Sequence, residues 1–244
     1  MVITAKDNKK IKEIRKLEQK KYRDKTKMFI IEGEHLVKEA YKYGCLKELI
    51  LEENTSTDIS LDIDTIYVTK EVLKSISALD EPYNIMGICS YPTENKELGN
   101  KILILDGVQD PGNLGTIIRS SVAFNVSDIV LSNTTVDLYN SKVLRSTQGM
   151  NFGINIIRKN LNDFVPFLKE EGYKIFATDV VNGIDIKNVC NLTKYAIIMG
   201  NEGNGVSQNI KDMCDENIYI NMNEKCESLN VAVATSIILY ELNK

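Results

Sequence analysis

The sequence has one histidine, His35, no tryptophan, four prolines and five cysteines. Each scarcity excludes something. A mechanism that needs an imidazole base must use His35, and one that needs two is excluded. The cysteines, Cys45, Cys89, Cys190, Cys214 and Cys226, are odd in number and form no Cys-x-x-Cys pair. Neither a zinc ribbon nor a disulfide framework is supported, so no metal is expected. Reduced thiols serving mostly as core residues of a cytoplasmic chain are expected instead. No apolar run approaches the roughly 18 residues of a membrane span. The start, Met1 to Lys6, leads into a lysine-rich polar segment, so neither a membrane partner nor a secretory leader is expected. There is no internal repeat and no low-complexity tract.

What is present is enough apolar material for a core: 43% of 244 residues are hydrophobic and 26% charged. At roughly 100 to 200 residues per domain, one or two domains are expected. The net charge of −4 conceals an asymmetry. Residues 1–27 hold eleven lysines and arginines against four acids, a local +7, and the remainder is −11. A basic head on an acidic body points to a localised contact with phosphates; a solvated helix face produces the same pattern.

Along the chain, Asn8 can cap a helix carrying Ile11, Ile14 and Leu17 at helical spacing. Short strands are expected at 28–31, 46–51, 66–68 and 85–89, with helices after Glu32-Gly33 and after Thr69. The polar stretch Pro92 to Glu97 is a linker candidate, dividing the chain into domains 1–95 and 96–244. Beyond it, strands at 101–105, 128–131, 154–157, 174–177, 195–199 and 217–220 are continuous apolar runs separated by helices. That pattern predicts an α/β fold with a mostly parallel sheet covered on both faces.

Parallel sheets bind ligands beyond the carboxyl ends of their strands, and three loops there stand out. Asp106 to Ser120 packs three glycines, a proline and two amides ahead of Arg119. Asn113 and Arg119 are six residues apart, off a common helix face, and the bland reading is a capping asparagine and a solvent-facing arginine. Met199 to Ser207 spaces its glycines so that backbone can approach a ligand, or simply turns tightly into a helix capped by Ser207. It is neither a Gly-Lys-Ser/Thr phosphate loop nor a dinucleotide loop after the first strand. In Ile220 to Ala234, Ser228 can cap an almost wholly apolar last helix, which leaves Asn230 without a purpose.

Taken together, in this order, the three segments resemble the SpoU family, also called TrmH, of RNA ribose 2′-O-methyltransferases. Phe29 to Glu34 looks like the start of the family's substrate-binding domain, which is similar to a ribosomal RNA-binding protein. Asn140 to Arg145 with Gly149 also resembles the family. The resemblance implies a small α/β RNA-binding domain followed by a catalytic domain with a deep trefoil knot, a homodimer, S-adenosylmethionine in the knotted loops, and RNA, foremost ribosomal RNA, as substrate. The implied catalytic residues are Asn113, Arg119, Glu202, Ser228 and Asn230. Thr178, Gly200, Asn201, Gly203, Ile220, Met222, Ser228 and Leu229 match donor contacts, and Lys9, Lys10, Arg15, Arg23 and Arg145 are the expected RNA contacts.

The chain departs from the family at Asn221, where proline is usual, and at Glu224, where glycine is usual. The second change alters backbone freedom. The alternatives are a tRNA ribose methyltransferase, or a catalytically inactive RNA-binding or ribosome-assembly protein. A nucleotide-dependent metabolic enzyme would have to explain the missing phosphate-loop lysine. In the implied reaction, Arg119 stabilises the developing alkoxide while Asn113, Ser228 and Asn230 orient groups; Glu202 either accepts the proton or positions Arg119.

Overall fold

Alternation along single strands sets up the first body: in Leu46–Glu52, Leu49 and Leu51 enter one core while Ile50 enters another. The computed structural model describes residues 2–59, 62–95, 97–180 and 182–243; Met1, Ser60, Leu61, Val181, Lys244 and Lys96 of the expected linker lie outside the described residues. In chain order, the elements up to residue 90 are β1 (Val2–Ile3), α1 (Lys9–Lys16), α2 (Lys20–Thr26), β2 (Met28–Glu32), α3 (Glu34–Lys42), β3 (Leu46–Glu52), β4 (Asp64–Val68), α4 (Lys70–Lys74) and β5 (Ile85–Ser90). Then come β6 (Lys101–Leu105), α5 (Pro111–Ala123), β7 (Asp128–Leu131), α6 (Ser141–Thr147), β8 (Asn155–Arg158), α7 (Leu161–Glu170), β9 (Lys174–Thr178), β10 (Ile184–Asp185), β11 (Tyr195–Met199), α8 (Gln208–Lys211), β12 (Glu216–Tyr219) and α9 (Val231–Leu242).

Two compact units result. The first comprises Met1–Thr93 with Asp137–Gly153, the second Glu94–Val136 with Ile154–Lys244. The segment 137–153 thus belongs to the first unit although in chain order it lies within the stretch expected to form the second.

The first unit carries a mixed five-stranded sheet in the order β1-β4-β3-β5-β2, with β5 antiparallel to both neighbours. Asn8 caps α1 by accepting the Lys10 N–H at 2.9 Å, and Ile11, Ile14 and Leu17 pack with Ile50, Met86 and Ile88 on one face. The other face holds Phe29, Ile31, Leu36 and Val37, together with Leu144 of α6 and Phe152 just after it. A turn at residues 17–19 separates α1 from α2, and the carbonyls it leaves open are claimed by Arg23. Its Nη1 donates to Leu17 O at 2.7 Å and Glu18 O at 2.6 Å, and its Nη2 pairs with Asp137.

The second unit is a seven-stranded parallel sheet in the order β10-β12-β9-β11-β6-β7-β8. Its central strands are buried on both faces, as their unbroken apolar runs require. Ile102, Ile104, Ile175, Ala196 and Ile198 pack with Phe164, Val165 and Leu168 of α7. The short edge strand β10 was not expected; before it, Gly183 sits at φ +122°, where a Cβ would come within 2.1 Å of Asn217 O. Helices α5 and α9 pack on each other, with Ser120 and Ser236 hydroxyls 2.7 Å apart and Phe124 edge-on to Tyr240.

The cysteines depart from the core expectation: Cys45 and Cys89 are buried and Cys214 half-buried, but Cys190 and Cys226 are exposed loop residues; all five are free thiols. Burial pushes the Cys89 thiol well above its ordinary pKa, which keeps it protonated and unreactive. No helix among the described residues is long and apolar enough to cross a membrane, and they include no cluster of three potential metal ligands.

Candidate active site

The four adjacent strands β12, β9, β11 and β6 end on the same side of the sheet, and the loops beyond their carboxyl ends form one site. After β6, α5 starts at Pro111, ahead of Asn113. Asp110, not Asn113, is the cap: its Oδ1 accepts the Asn113 N–H at 2.8 Å, with Pro111 in the first helical position. A carboxylate suits this helix end, and Asn113 is freed from capping.

Two groups tie this loop to the one after β11. Asp106 accepts from Ser207 N at 2.9 Å and Ser207 Oγ at 2.6 Å, and Asn201 Nδ2 donates to Gly107 O at 2.8 Å. Ser207 stands at the start of α8 as expected, but its hydroxyl serves Asp106 rather than the helix. Asn201 and Gly205 pair across the loop, closing it so tightly that a Cβ on Gly200 would lie 2.0 Å from the Gly205 carbonyl carbon. Only glycine fits at position 200.

Glu202 stands at the tip of that hairpin. One oxygen accepts from Gln109 N at 3.2 Å; the other takes Asp110 N at 3.2 Å and Asn113 Nδ2 at 3.1 Å. Partial burial raises its pKa, but the Asn113 amide and the backbone N–H groups of Glu202, Asp110 and Gln109 outweigh that and hold the carboxyl below its ordinary range. It is ionised at neutral pH and a weak proton acceptor.

The loop after β12 brings the third part. Asn230, rather than Ser228, caps the last helix: its Oδ1 accepts Ala232 N at 2.9 Å and Val233 N at 3.3 Å. The chain turns into helix two residues later than the serine reading required, so the asparagine that had no purpose has two. Its Nδ2 donates to Asn113 Oδ1 at 2.9 Å. Glu202, Asn113 and Asn230 therefore form a directed chain in which each amide has one possible orientation.

These loops surround a cavity of about 480 Å³. All the positions expected to contact a methyl donor line it: Thr178 at the end of β9, Gly200, Asn201 and Gly203 beyond β11, Ile220 and Met222 after β12, and Ser228 and Leu229 before α9. Of the expected catalytic residues, Glu202, Ser228 and Asn230 line it, and Asn113 is bonded to two of them. Arg119 is not brought in. It lies exposed on α5, six residues and roughly 9 Å of helix rise beyond Asn113.

Sequence reasoning missed Asp179 and Lys211, an ion pair at 2.7 Å that also lines the cavity; residues 32 apart on a strand end and a helix carry no shared motif. It also gave no role to Asp106, although that residue stands inside the first motif.

The expected RNA contacts divide. Lys9 is exposed, and Lys10, 2.7 Å from Glu48, remains half-exposed. Arg23 is buried at 6% exposure and engaged with Leu17, Glu18 and Asp137, so it is a structural residue and not a phosphate contact. Arg15 is similarly committed, donating to Ser75 O at 3.0 Å and Ser75 Oγ at 2.9 Å. Arg145 of α6 is half-buried, and its buried Nη1 has no hydrogen-bond partner among the described residues.

Comparison with known proteins gives two family matches, one in each half of the chain. Residues 100–240 match the SpoU rRNA Methylase family, and residues 8–87 match the MRM3-like substrate binding domain. The chain is 39% identical over 243 residues, 98% of each chain, to the 23S rRNA (guanosine(2553)-2′-O)-methyltransferase RlmP of Bacillus subtilis. It is similar to the AdoMet-bound rRNA methyltransferase of Sinorhizobium meliloti, at 30% identity and a TM-score of 0.87, with 99% of this chain and 96% of that one covered. The SpoU methyltransferase AviRb of Streptomyces viridochromogenes, solved with AdoMet, shares the fold at a TM-score of 0.85 and 21% identity over 96% of each chain.

Proposed function

The chain belongs to the SpoU rRNA methylase family, and on that premise we propose that it transfers a methyl group from S-adenosylmethionine to a ribose 2′-hydroxyl of ribosomal RNA. The observation that carries the reading is the Glu202–Asn113–Asn230 chain at the cavity formed by the three motif loops. The cavity fits the donor: its volume is in the range of small-ligand sites, and Ile220, Leu229, Ala234 and Ile238 offer apolar surface to an adenine. The donor supplies a methyl group already activated by its positive sulfur. The protein's own task is then alignment and management of one proton.

Asn113, oriented by its two partners, positions the ribose hydroxyl. Glu202 is a positioning residue: it holds Asn113 and the loop before α5, and its lowered proton affinity argues against service as the base. Arg119, exposed and always charged, meets the phosphate next to the target ribose and stabilises the developing alkoxide. Ser228 adds a hydroxyl at the cavity wall. The first unit selects the RNA, with phosphates met by the exposed lysines of α1 and α2. A trefoil knot, a homodimer and a cytoplasmic location belong to the same proposal.

The test is transfer of labelled methyl from S-adenosylmethionine to protein-free ribosomal RNA and to tRNA, followed by nucleoside mass spectrometry. A labelled 2′-O-methylnucleoside from ribosomal RNA is expected. Label only in tRNA would transfer the assignment to that substrate, and no label in either, with RNA still bound, would favour an inactive RNA-binding protein.

A further inference from the structure

Among the described residues lining the donor cavity, three carry charge: Glu202, Asp179 and Lys211. Glu202 is engaged by the loop before α5. The other two form a separate pair at 2.7 Å with side chains only 15% and 19% exposed. Holding two charges this far from water is costly, so a pair at a cavity wall calls for a reason beyond stability.

Both partners stand on rigid supports. Asp179 directly follows β9, and its N–H donates to Ile218 O of β12 at 2.9 Å. Its Oδ1 accepts the Val180 N–H at 2.6 Å and its Oδ2 takes Lys211. Lys211 ends α8, the helix that follows Ser207, and Ser207 is itself held by Asp106. The carboxylate is thus held in place before any ligand arrives. A carboxylate has about four acceptor positions and can serve several donors at once. An acidic side chain just past the carboxyl end of a parallel strand is a recurrent acceptor for ribose hydroxyls, because a diol can give two hydrogen bonds to one carboxylate.

We infer that Asp179 receives the ribose 2′,3′-diol of the donor's adenosine, and that Lys211 is the positioning residue that keeps its carboxylate turned into the cavity. The inference rests on the reading of this cavity as the donor site. It assigns the selectivity for a ribonucleoside donor to a residue pair outside all three motif loops. Lys211 also offsets the negative charge that Asp179 and Glu202 would otherwise place together beside a ligand bearing a carboxylate.

The test is isothermal titration of the full chain with S-adenosylhomocysteine and with its 2′,3′-dideoxyribose analogue, without RNA or turnover. The wild-type chain is expected to bind the dideoxy compound roughly 10- to 100-fold more weakly, the range for hydrogen bonds to a charged group. In Asp179→Ala that ratio should fall to within about threefold, and in Lys211→Met it should fall part of the way. A merely structural pair would weaken both ligands alike and leave the ratio unchanged, which overturns the inference. Equal binding of the two compounds by the wild-type chain overturns it with no variant needed. Failure of the wild-type chain to bind S-adenosylhomocysteine at all would instead sink the reading of the cavity, and the inference with it.

Discussion

Asn230 performs two tasks with opposite ends of one amide, and substitutions can separate them. Its Oδ1 caps α9 and its Nδ2 fixes the orientation of Asn113. Asn230→Ala removes both. Loss of a cap costs about 1 kcal/mol, roughly 4 °C in melting temperature for a domain of this size. Loss of one neutral hydrogen bond on Asn113, which keeps Glu202, costs about 0.5–1.5 kcal/mol of alignment, or roughly two- to twelvefold in turnover. Asn230→Asp differs in kind. Aspartate caps as well as asparagine and suits the positive end of a helix, so the melting temperature should stay within about 1 °C of wild type. It cannot donate, however, and it sets a carboxylate oxygen against Asn113 Oδ1 where a donor stood at 2.9 Å. Rotating the Asn113 amide to relieve that contact would turn its oxygen toward Glu202, so neither orientation is satisfied, and turnover should fall at least about tenfold. Stability should therefore rank wild type and Asp above Ala, while activity ranks wild type above Ala above Asp. Differential scanning calorimetry and single-turnover methyl transfer measure the two rankings. An Asn230→Asp enzyme as active as wild type would refute the reasoning, because activity would then follow the cap alone.

Arg119→Ala should abolish transfer while S-adenosylhomocysteine still binds, since Arg119 lies outside the cavity lining; calorimetric loss of ligand binding would contradict the proposed division of roles. Neutralising Lys9, Lys12, Lys16 and Lys21, all exposed on or beside α1 and α2, should weaken RNA binding and shallow its dependence on log salt by roughly 0.7–0.9 for each phosphate no longer neutralised. An unchanged slope would remove this face from the RNA-binding surface. Glu202 has a folded pKa below its ordinary value, so its hold on the loop before α5 is present above the ordinary carboxylate range and is lost as pH falls through the lowered folded value. Amide resonances of Gln109 and Asp110 should titrate together with a midpoint below that of an unperturbed glutamate; a midpoint at or above it would contradict the network.

The strands of the second unit were legible because a sheet buried on both faces needs unbroken apolar runs, and Lys101–Leu105 and Tyr195–Met199 have them. The three loops were legible because backbone crowding and capping demand particular residues, as Gly200 shows. Cap assignment failed twice, at Asp110 and Asn230, since a cap is defined by where the backbone turns helical, and residues nearby in sequence compete for that place. The basic segment misled in another way: composition counts Arg23 with the surface lysines, but open carbonyls between α1 and α2 draw it inward. Asp179 and Lys211 were invisible for the reason that governs all long-range pairs, that strand order and not chain order made them neighbours.

The segment Asp137–Gly153 completes the first unit with Leu144, Phe152 and the partner of Arg23. During synthesis, residues 1–93 therefore emerge as an unfinished body, and the pieces that complete it arrive about sixty residues later, some 3–12 s at roughly 5–20 residues per second. The nascent chain must hold an open hydrophobic face through that interval while the first strands of the second sheet are already emerging. A fragment cut at residue 95 would be left permanently in that state, so its RNA affinity would report on an incompletely assembled surface.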